Sequence, residues 1–496
     1  MSRRNGGIIG PTNTPVGGIV TGLAGGVWRM NDVLTFVSNN QWPKAPENIE
    51  NALRFDDDSN DYLNATLGTG GNSKTFTVSF WFKLGLIPSG NSMNTIGSGV
   101  DNQNDFMIGF SYDTSRTTGI HILARNGSST KVIDVQTNKK FRDLSAWYHA
   151  VIAIDTTQST SSDRVKIYIN GSQETSLLTS TYPDQDTELR WNSANIHYVG
   201  TTRDNQTSAT YDGYLAEVVN VDGLALTPSS FGETNTASGI WTPKKIGQIA
   251  NAGTNSFYLN FKDSSNLGND ASGLNNDFTV NNLTSIDQST DTCVENFATL
   301  NVLDGGTNGT FSEGNLKLVT ASSGYATTRA SIGVSTGKWY FEAKLISGNA
   351  EIGIITSDQD ISNSDNPLGH SANGYAYTSG GNKYNNNSNS SYGDSYTSND
   401  IIGVALNLDD GQLFFYKNGT IQNSGTAAFS SLSSNTYHPA VSDDSGSSAC
   451  TWELNFGNPP FSISSGNSDA NGFGNFEYAV PSGYYALNTS NLNTYG

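Results

Sequence analysis

From Leu53 onward, apolar residues recur at every second position in short runs, the period of half-buried β-strands. "KTFTVSFWFKL" (74–84) places Phe76, Val78, Phe80 and Phe82 on one face. "GIHILAR", "WYHAVIAID", "RVKIYING" and "GYLAEVVNVDGLAL" follow at the spacing of sandwich strands. In "RVKIYING", Val165, Ile167 and Ile169 share a face, and Asn170-Gly171 is the pair that a type I′ hairpin turn requires. A second series starts near Gly314 with "NLKLVTA", "GKWYFEAKLISG", "AEIGIITS", "DIIGVALNLDDGQLFFYKNGT" and "CTWELNFG". It also ends a Tyr-bearing strand on Asn-Gly, at Asn418-Gly419. No helix-period segment interrupts either series. The pattern predicts an all-β chain of two antiparallel sandwiches in tandem.

Two stretches lack alternation. Residues 1–48 read as an extended arm with Val27, Trp28, Leu34, Phe36 and Trp42 but no partner for them within the arm. Such an apolar segment docks, either on the chain's own first domain or on another subunit. Residues 233–312 carry one or two strands, such as "SFYLNFKDSS", and then a polar Asn/Asp/Gly/Thr tract. Its regularly placed apolar residues predict a packed connector. The domains are therefore 1–48, 49–232, 233–312 and 313–496.

Charged residues make up 14 % of the chain, below the roughly 25 % usual in soluble proteins. Ser, Thr, Asn and 53 Gly supply the polarity, as suits many short strands joined by turns. A net charge of −19 argues against nucleic acid as a partner, since phosphates need basic clusters. Cys293 and Cys450 are the only cysteines, too few for a disulfide framework. Gly and Pro break up the apolar residues at the start, which argues against a signal peptide. No run is long enough to insert in a membrane.

Residues 49–232 resemble the laminin-G-like, concanavalin-type jelly roll through "LRFDDDSNDYL", "FTVSFWFKL", "WYHAVIAID", "VKIYINGS" and "YDGYLAEVVNVDGLALTP". Residues 313–496 resemble a SPRY domain through "GKWYFEAKL", "EIGI", "SNDIIGVALNLDDGQLFFYKNG", "YHPAVS", "ELNFG" and "PSGYYALNTSNL". The whole arrangement, including "GVW" in the arm and "NDASGLNNDFTVNNLT" in the connector, is similar to virion proteins of marine bacteriophages. That resemblance implies a tail fibre or capsid decoration on the virion exterior, made in the host cytoplasm. Its arm (Val27, Trp28, Leu34, Phe36, Trp42) would dock on other virion proteins. Its sandwiches would be homo-oligomeric and would face host-surface glycan or protein. One alternative is a purely structural subunit whose sandwiches bind only their neighbours. Another is a polysaccharide-degrading jelly-roll enzyme.

The residues disfavour that enzyme. The Glu-x-Asp-x-x-Glu strand of jelly-roll glycosidases is absent, and Glu342 and Glu351 fall in SPRY strand segments with no catalytic role in that family. His149 and His438 read as packing residues at strand starts. "DDDSND" opens like a calcium loop with Asp56, Asp58 and Asn60, but Asp61 stands where Gly is needed and Leu67 where Glu is needed. An EF-hand is excluded. A calcium site of another kind, which the laminin-G resemblance implies, stays open at Asp56, Asp58 and Asn60. No other cofactor is expected. The mixture of Tyr with Ser, Gly and Asn in "YAYTSGGNKYNNNSNSSYGDSY" marks Tyr375, Tyr377, Tyr384, Asn386 and Tyr392 as ligand-binding candidates, because such mixtures make adaptable contacts.

Overall fold

A computed structural model describes residues 47–496 except 89–91, 102, 112–118, 204–208, 237, 248, 250, 306–307 and 362–365. The arm residues Val27, Trp28, Leu34, Phe36 and Trp42 lie outside the described residues.

The regular structure of the described residues is nearly all strand, arranged as two sandwiches. The first pairs two eight-stranded sheets. One is centred on Thr75–Leu84, flanked by Tyr148–Asp155 and Gly213–Asp222. The other runs through Lys131–Thr137, Gly119–Arg125, Asn104–Ser111 and Met93–Asp101. Phe76, Val78, Phe80 and Phe82 point into one core with Phe106, Ile108, Phe110 and Trp191 from across the sandwich, as their alternation predicts. The second sandwich packs a seven-stranded sheet on a nine-stranded one. Lys338–Ser347, Ile401–Asn407 and Gln412–Lys417 lie side by side in the larger sheet. Trp339, Phe341, Val404, Phe415 and Trp452 fill its core.

Residues 233–312 do not merely join the sandwiches. Phe257–Leu259 and Gln288–Ser289 extend one sheet of the first, and Thr279–Asn281 extends the other. Leu300–Gly305 and Gly309–Ser312 are edge strands of the second. Leu224, Leu226, His149 and, at Trp81 and Lys83, the connector cover the outer face of strand Thr75–Leu84. Its alternate residues Thr77, Ser79, Trp81 and Lys83 are therefore as buried as the core set.

Both Asn-Gly turns are built alike. Asn170 and Asn418 have φ of 47° each, and Gly171 and Gly419 follow at 81° and 76°. Asn170 Oδ1 accepts from His149 N at 2.8 Å, and Asn418 Oδ1 accepts from Ile401 N at 2.9 Å. The repeated sequence thus marks one local solution used once per sandwich: a left-handed pair whose Asn also satisfies the start of the adjacent strand.

Candidate functional site

The turn after strand Ala52–Phe55 brings acidic groups together, though not in the set expected from spacing. Phe55 pairs with Gly213, and Gly213 pairs with Leu84, so Asp56, Asp212 and Gly85 fall in one row across three strands. Carboxylate oxygens of Asp56, Asp57 and Asp212 lie within 4.8 Å of one another. Asp58 is not one of these three carboxylates; its N donates to Asp56 Oδ1 at 3.1 Å, and Asn60 Oδ1 is buried without a hydrogen-bond partner among the described residues. The clustered carboxylates thus share Asp56 with the expected Asp56, Asp58 and Asn60 and add Asp57 and Asp212, because the pairing of Phe55 with Gly213 sets the turn beside the start of strand Gly213–Asp222. Spacing along the chain could not reveal Asp212. The signal was the Asp-Gly that opens "DGYLAEVV", readable only once strand pairing is known.

Burial and mutual repulsion shape this group. Burial raises the Asp212 carboxyl well above its ordinary range, and Asp57 and Asp56 add to the effect. Burial also raises Asp57 and Asp56. Asp61, whose Oδ2 accepts from Asp56 N at 3.1 Å, is pushed by burial up to about 7. Gly85 makes the room: a Cβ there would stand 1.6 Å from Asp212 Oδ1. The donor set fits calcium. Calcium–oxygen bonds of about 2.3–2.6 Å place ligand oxygens up to about 5 Å apart, whereas magnesium bonds of about 2.0–2.1 Å draw them closer. Without a cation, the trio must hold a proton to relieve its repulsion.

The SPRY-segment tyrosines are spent mainly on packing. Tyr377 is fully buried and its hydroxyl donates to Asp394 O. Tyr392 is buried beside it, with ring centres 5.6 Å apart. Burial withdraws these two from any contact surface. Tyr375 packs edge-on against Phe429 and Tyr437. Tyr384 is half-buried against the outer face of its sheet, and its hydroxyl donates to Asn387 Oδ1 at 3.0 Å. Asn386 is exposed at the tip of the turn, with φ of 50°.

His149 lies between the Trp81 and Trp241 rings, with centroids 4.7 and 6.1 Å away. Its Nδ1 accepts from Trp241 Nε1 at 3.0 Å, which places the proton on Nε2, facing Ser79 Oγ at 2.9 Å. His438 is half-buried, with Nδ1 2.9 Å from Ala330 O. Glu342 is fully buried and accepts from the amides of Glu477 and Tyr478, 2.9 Å each. It anchors the C-terminal segment. Glu351 accepts from Gly369 N at 2.9 Å.

Two family models match the chain. The model described as the concanavalin A-like lectin/glucanases superfamily covers residues 57–230, and the SPRY domain model covers residues 338–459. The chain carries a concanavalin-like unit followed by a SPRY unit. Among solved structures, the SPRY domain of human HERC1 is 19 % identical over 31 % of this chain and 96 % of its own, with a TM-score of 0.27. A stonustoxin structure is 21 % identical over 32 % of this chain and 27 % of its own, at 0.28. The TRIM65 PSpry domain is 13 % identical over 32 % and 91 %, at 0.26. At these scores the structural likenesses carry no argument of their own. No curated protein matches the chain. The acidic trio belongs to the concanavalin-like unit and the tyrosine segment to the SPRY unit.

Proposed function

We propose that the protein is a bacteriophage virion subunit, a tail fibre or capsid decoration, that recognises the host surface through its two sandwiches. The arm containing Trp28 and Trp42 is the anchor, and the sandwiches contact host glycan or protein. The observation that carries this reading is the joining of two units of binding-domain type through a buried polar junction, in which Lys83, Asp291 and Asn458 meet. Units held in fixed relation present their contacts together. Weak contacts of this kind become firm when many copies share one particle. The structural employment of Glu342, and the engagement of Glu351 by a backbone amide, support recognition over hydrolysis. Calcium at Asp56, Asp57 and Asp212 would act as a structural cross-link between the 56–61 turn and strand Gly213–Asp222.

The test compares full-length protein with a chain lacking residues 1–46. Full-length protein is expected to enter particles and to adhere to host cells. The truncated chain is expected to adhere without entering particles. Normal incorporation of the truncated chain would remove the anchor, and full-length protein that does not adhere to host cells would remove the recognition role.

A further inference from the structure

The ends of three neighbouring strands, Asn104–Ser111, Gly119–Arg125 and Lys131–Thr137, meet segment 187–195 around a cavity of about 280 Å³. Its wall includes Asn104, Arg125, Asn126, Glu188, Arg190 and Asn195. The two guanidiniums differ in how they are used. Arg125 Nη1 lies 2.6 Å from Asp105 Oδ2, so its charge is balanced. Arg190 forms no ion pair or side-chain hydrogen bond among the described residues, and its Nε is buried without an acceptor. Burial acts against its charge, while Tyr198, Asp101 and Asp105 favour it through space. In a chain with 45 acidic and 26 basic side chains, acceptors are plentiful. An arginine left unpaired at a polar cavity therefore has donors to offer a visitor.

We propose that this cavity binds an acidic sugar, with the Arg190 fork taking the sugar carboxylate and the Asn126, Asn195 and Glu188 side chains taking its hydroxyls. A planar guanidinium matches a planar carboxylate through two parallel N–H···O bonds. Side-chain amides both donate and accept, as sugar hydroxyls require. Glu188 is exposed and adds a negative charge to the wall, which disfavours dianionic phosphate. The volume falls just below the range of about 300–1,000 Å³ of drug-sized pockets, so one sugar ring of a longer chain enters. This inference rests on the recognition reading only for its choice of a glycan.

Calorimetry on the full-length protein tests it, using a tetra-uronate, the matching neutral tetrasaccharide and a sulfated tetrasaccharide. The uronate is expected to bind, and at least tenfold more tightly than the neutral sugar. Arg190→Gln is expected to weaken uronate binding at least tenfold, and Arg190→Lys severalfold, since lysine keeps the charge but lacks the fork. Should Arg190→Gln misfold, Arg190→Lys and Asn195→Ala carry the same test. Equal binding of uronate and neutral sugar, preference for the sulfated sugar, or unchanged affinity in the Arg190 variants would overturn the proposal. Host-cell adhesion undiminished in Arg190→Gln, with no uronate binding, would sink this site and leave the recognition reading standing. Uronate binding without host adhesion or particle incorporation would do the reverse.

Discussion

Lys83 Nζ lies 2.7 Å from Asp291 Oδ2, with the two side chains 1 % and 0 % exposed. Lys83 also donates to Asn296 Oδ1 at 2.8 Å and stands 5.4 Å from the centre of the Tyr214 ring. Asp291 accepts from Trp147 Nε1 at 2.8 Å and from Asn458 Nδ2 at 3.5 Å. The pair therefore ties the concanavalin-like unit, the connector and the SPRY unit at one point. Burial raises the Asp291 carboxyl, and the lysine opposes that rise. Removing one partner leaves the other charge buried and uncompensated, which costs about 3–5 kcal/mol.

Asp291→Ala is accordingly expected to lower stability by about that amount and to split urea unfolding into two transitions, one per sandwich. Replacing both residues, as Lys83→Met with Asp291→Leu, is expected to recover most of the loss. A single transition in Asp291→Ala with unchanged midpoint would show that the junction does not couple the units.

The alternation of Phe76, Val78, Phe80 and Phe82 was enough to place one core, and Asn170-Gly171 and Asn418-Gly419 were enough to place two turns. The polar residues Thr77, Ser79 and Lys83 of the same strand are buried too, because Leu224 O, His149 and Asp291 satisfy them from chain segments far away. Long-range satisfaction of a polar group leaves no trace in local periodicity. Nor does the kink at Glu217, a glutamate with φ of 51° where the strand pairing slips between Ala216 and Val219. The acidic trio was half legible. Asp56 stood in a recognisable oxygen-rich turn, while Asp212 joins it only through the pairing of Phe55 with Gly213.

The two Asn-Gly turns predict matched mutational behaviour. Asn170→Ala and Asn418→Ala each lose a left-handed residue and a bond to a strand amide, a cost of about 1–3 kcal/mol. Asn→Asp keeps the acceptor and is expected to cost less at both sites. Gly171→Ala adds a clash, since its Cβ would stand 2.5 Å from the Trp241 ring; Gly419→Ala meets the Tyr478 ring at 2.6 Å. Displacement of Trp241 from His149 would appear as a shift in tryptophan emission in Gly171→Ala alone.

Buried titrating groups predict a stability optimum on the acid side of neutrality. Burial lowers His149 to about 3 and His197 to about 4. Both are held neutral, so their contribution is present above the unfolded value near 6.5 and is lost as pH falls towards 3–4. Burial raises Asp61, Glu217 and Glu342 to about 7. Their contribution is complete below about pH 4 and is lost as pH rises to 7. The two sets oppose each other between, so denaturation midpoints are expected to peak near pH 5 and to fall on both sides. Glu217, bonded to Tyr258 Oη at 2.5 Å, accounts for about 3 kcal/mol of the alkaline limb. Glu217→Gln is expected to flatten that limb. A stability maximum at or above pH 8 would contradict the assignment.

The acidic trio predicts a calcium dependence that two variants abolish. In chelator at pH 7 the trio holds a proton, and the buried Asp212 carboxyl is the group raised well above its ordinary range, so the neutral Asp212→Asn is expected to leave the melting temperature little changed. In millimolar calcium the wild type is expected to melt several degrees higher than in chelator, because only the folded state assembles the three oxygens. Asp212→Asn is expected to lose that calcium increment, and Gly85→Ala to lose it too, because a Cβ occupies the position of Asp212 Oδ1. Magnesium, with its shorter bonds, is expected to give a smaller increment than calcium. Equal melting of the wild type in calcium and chelator would show that the trio keeps its proton and takes no calcium.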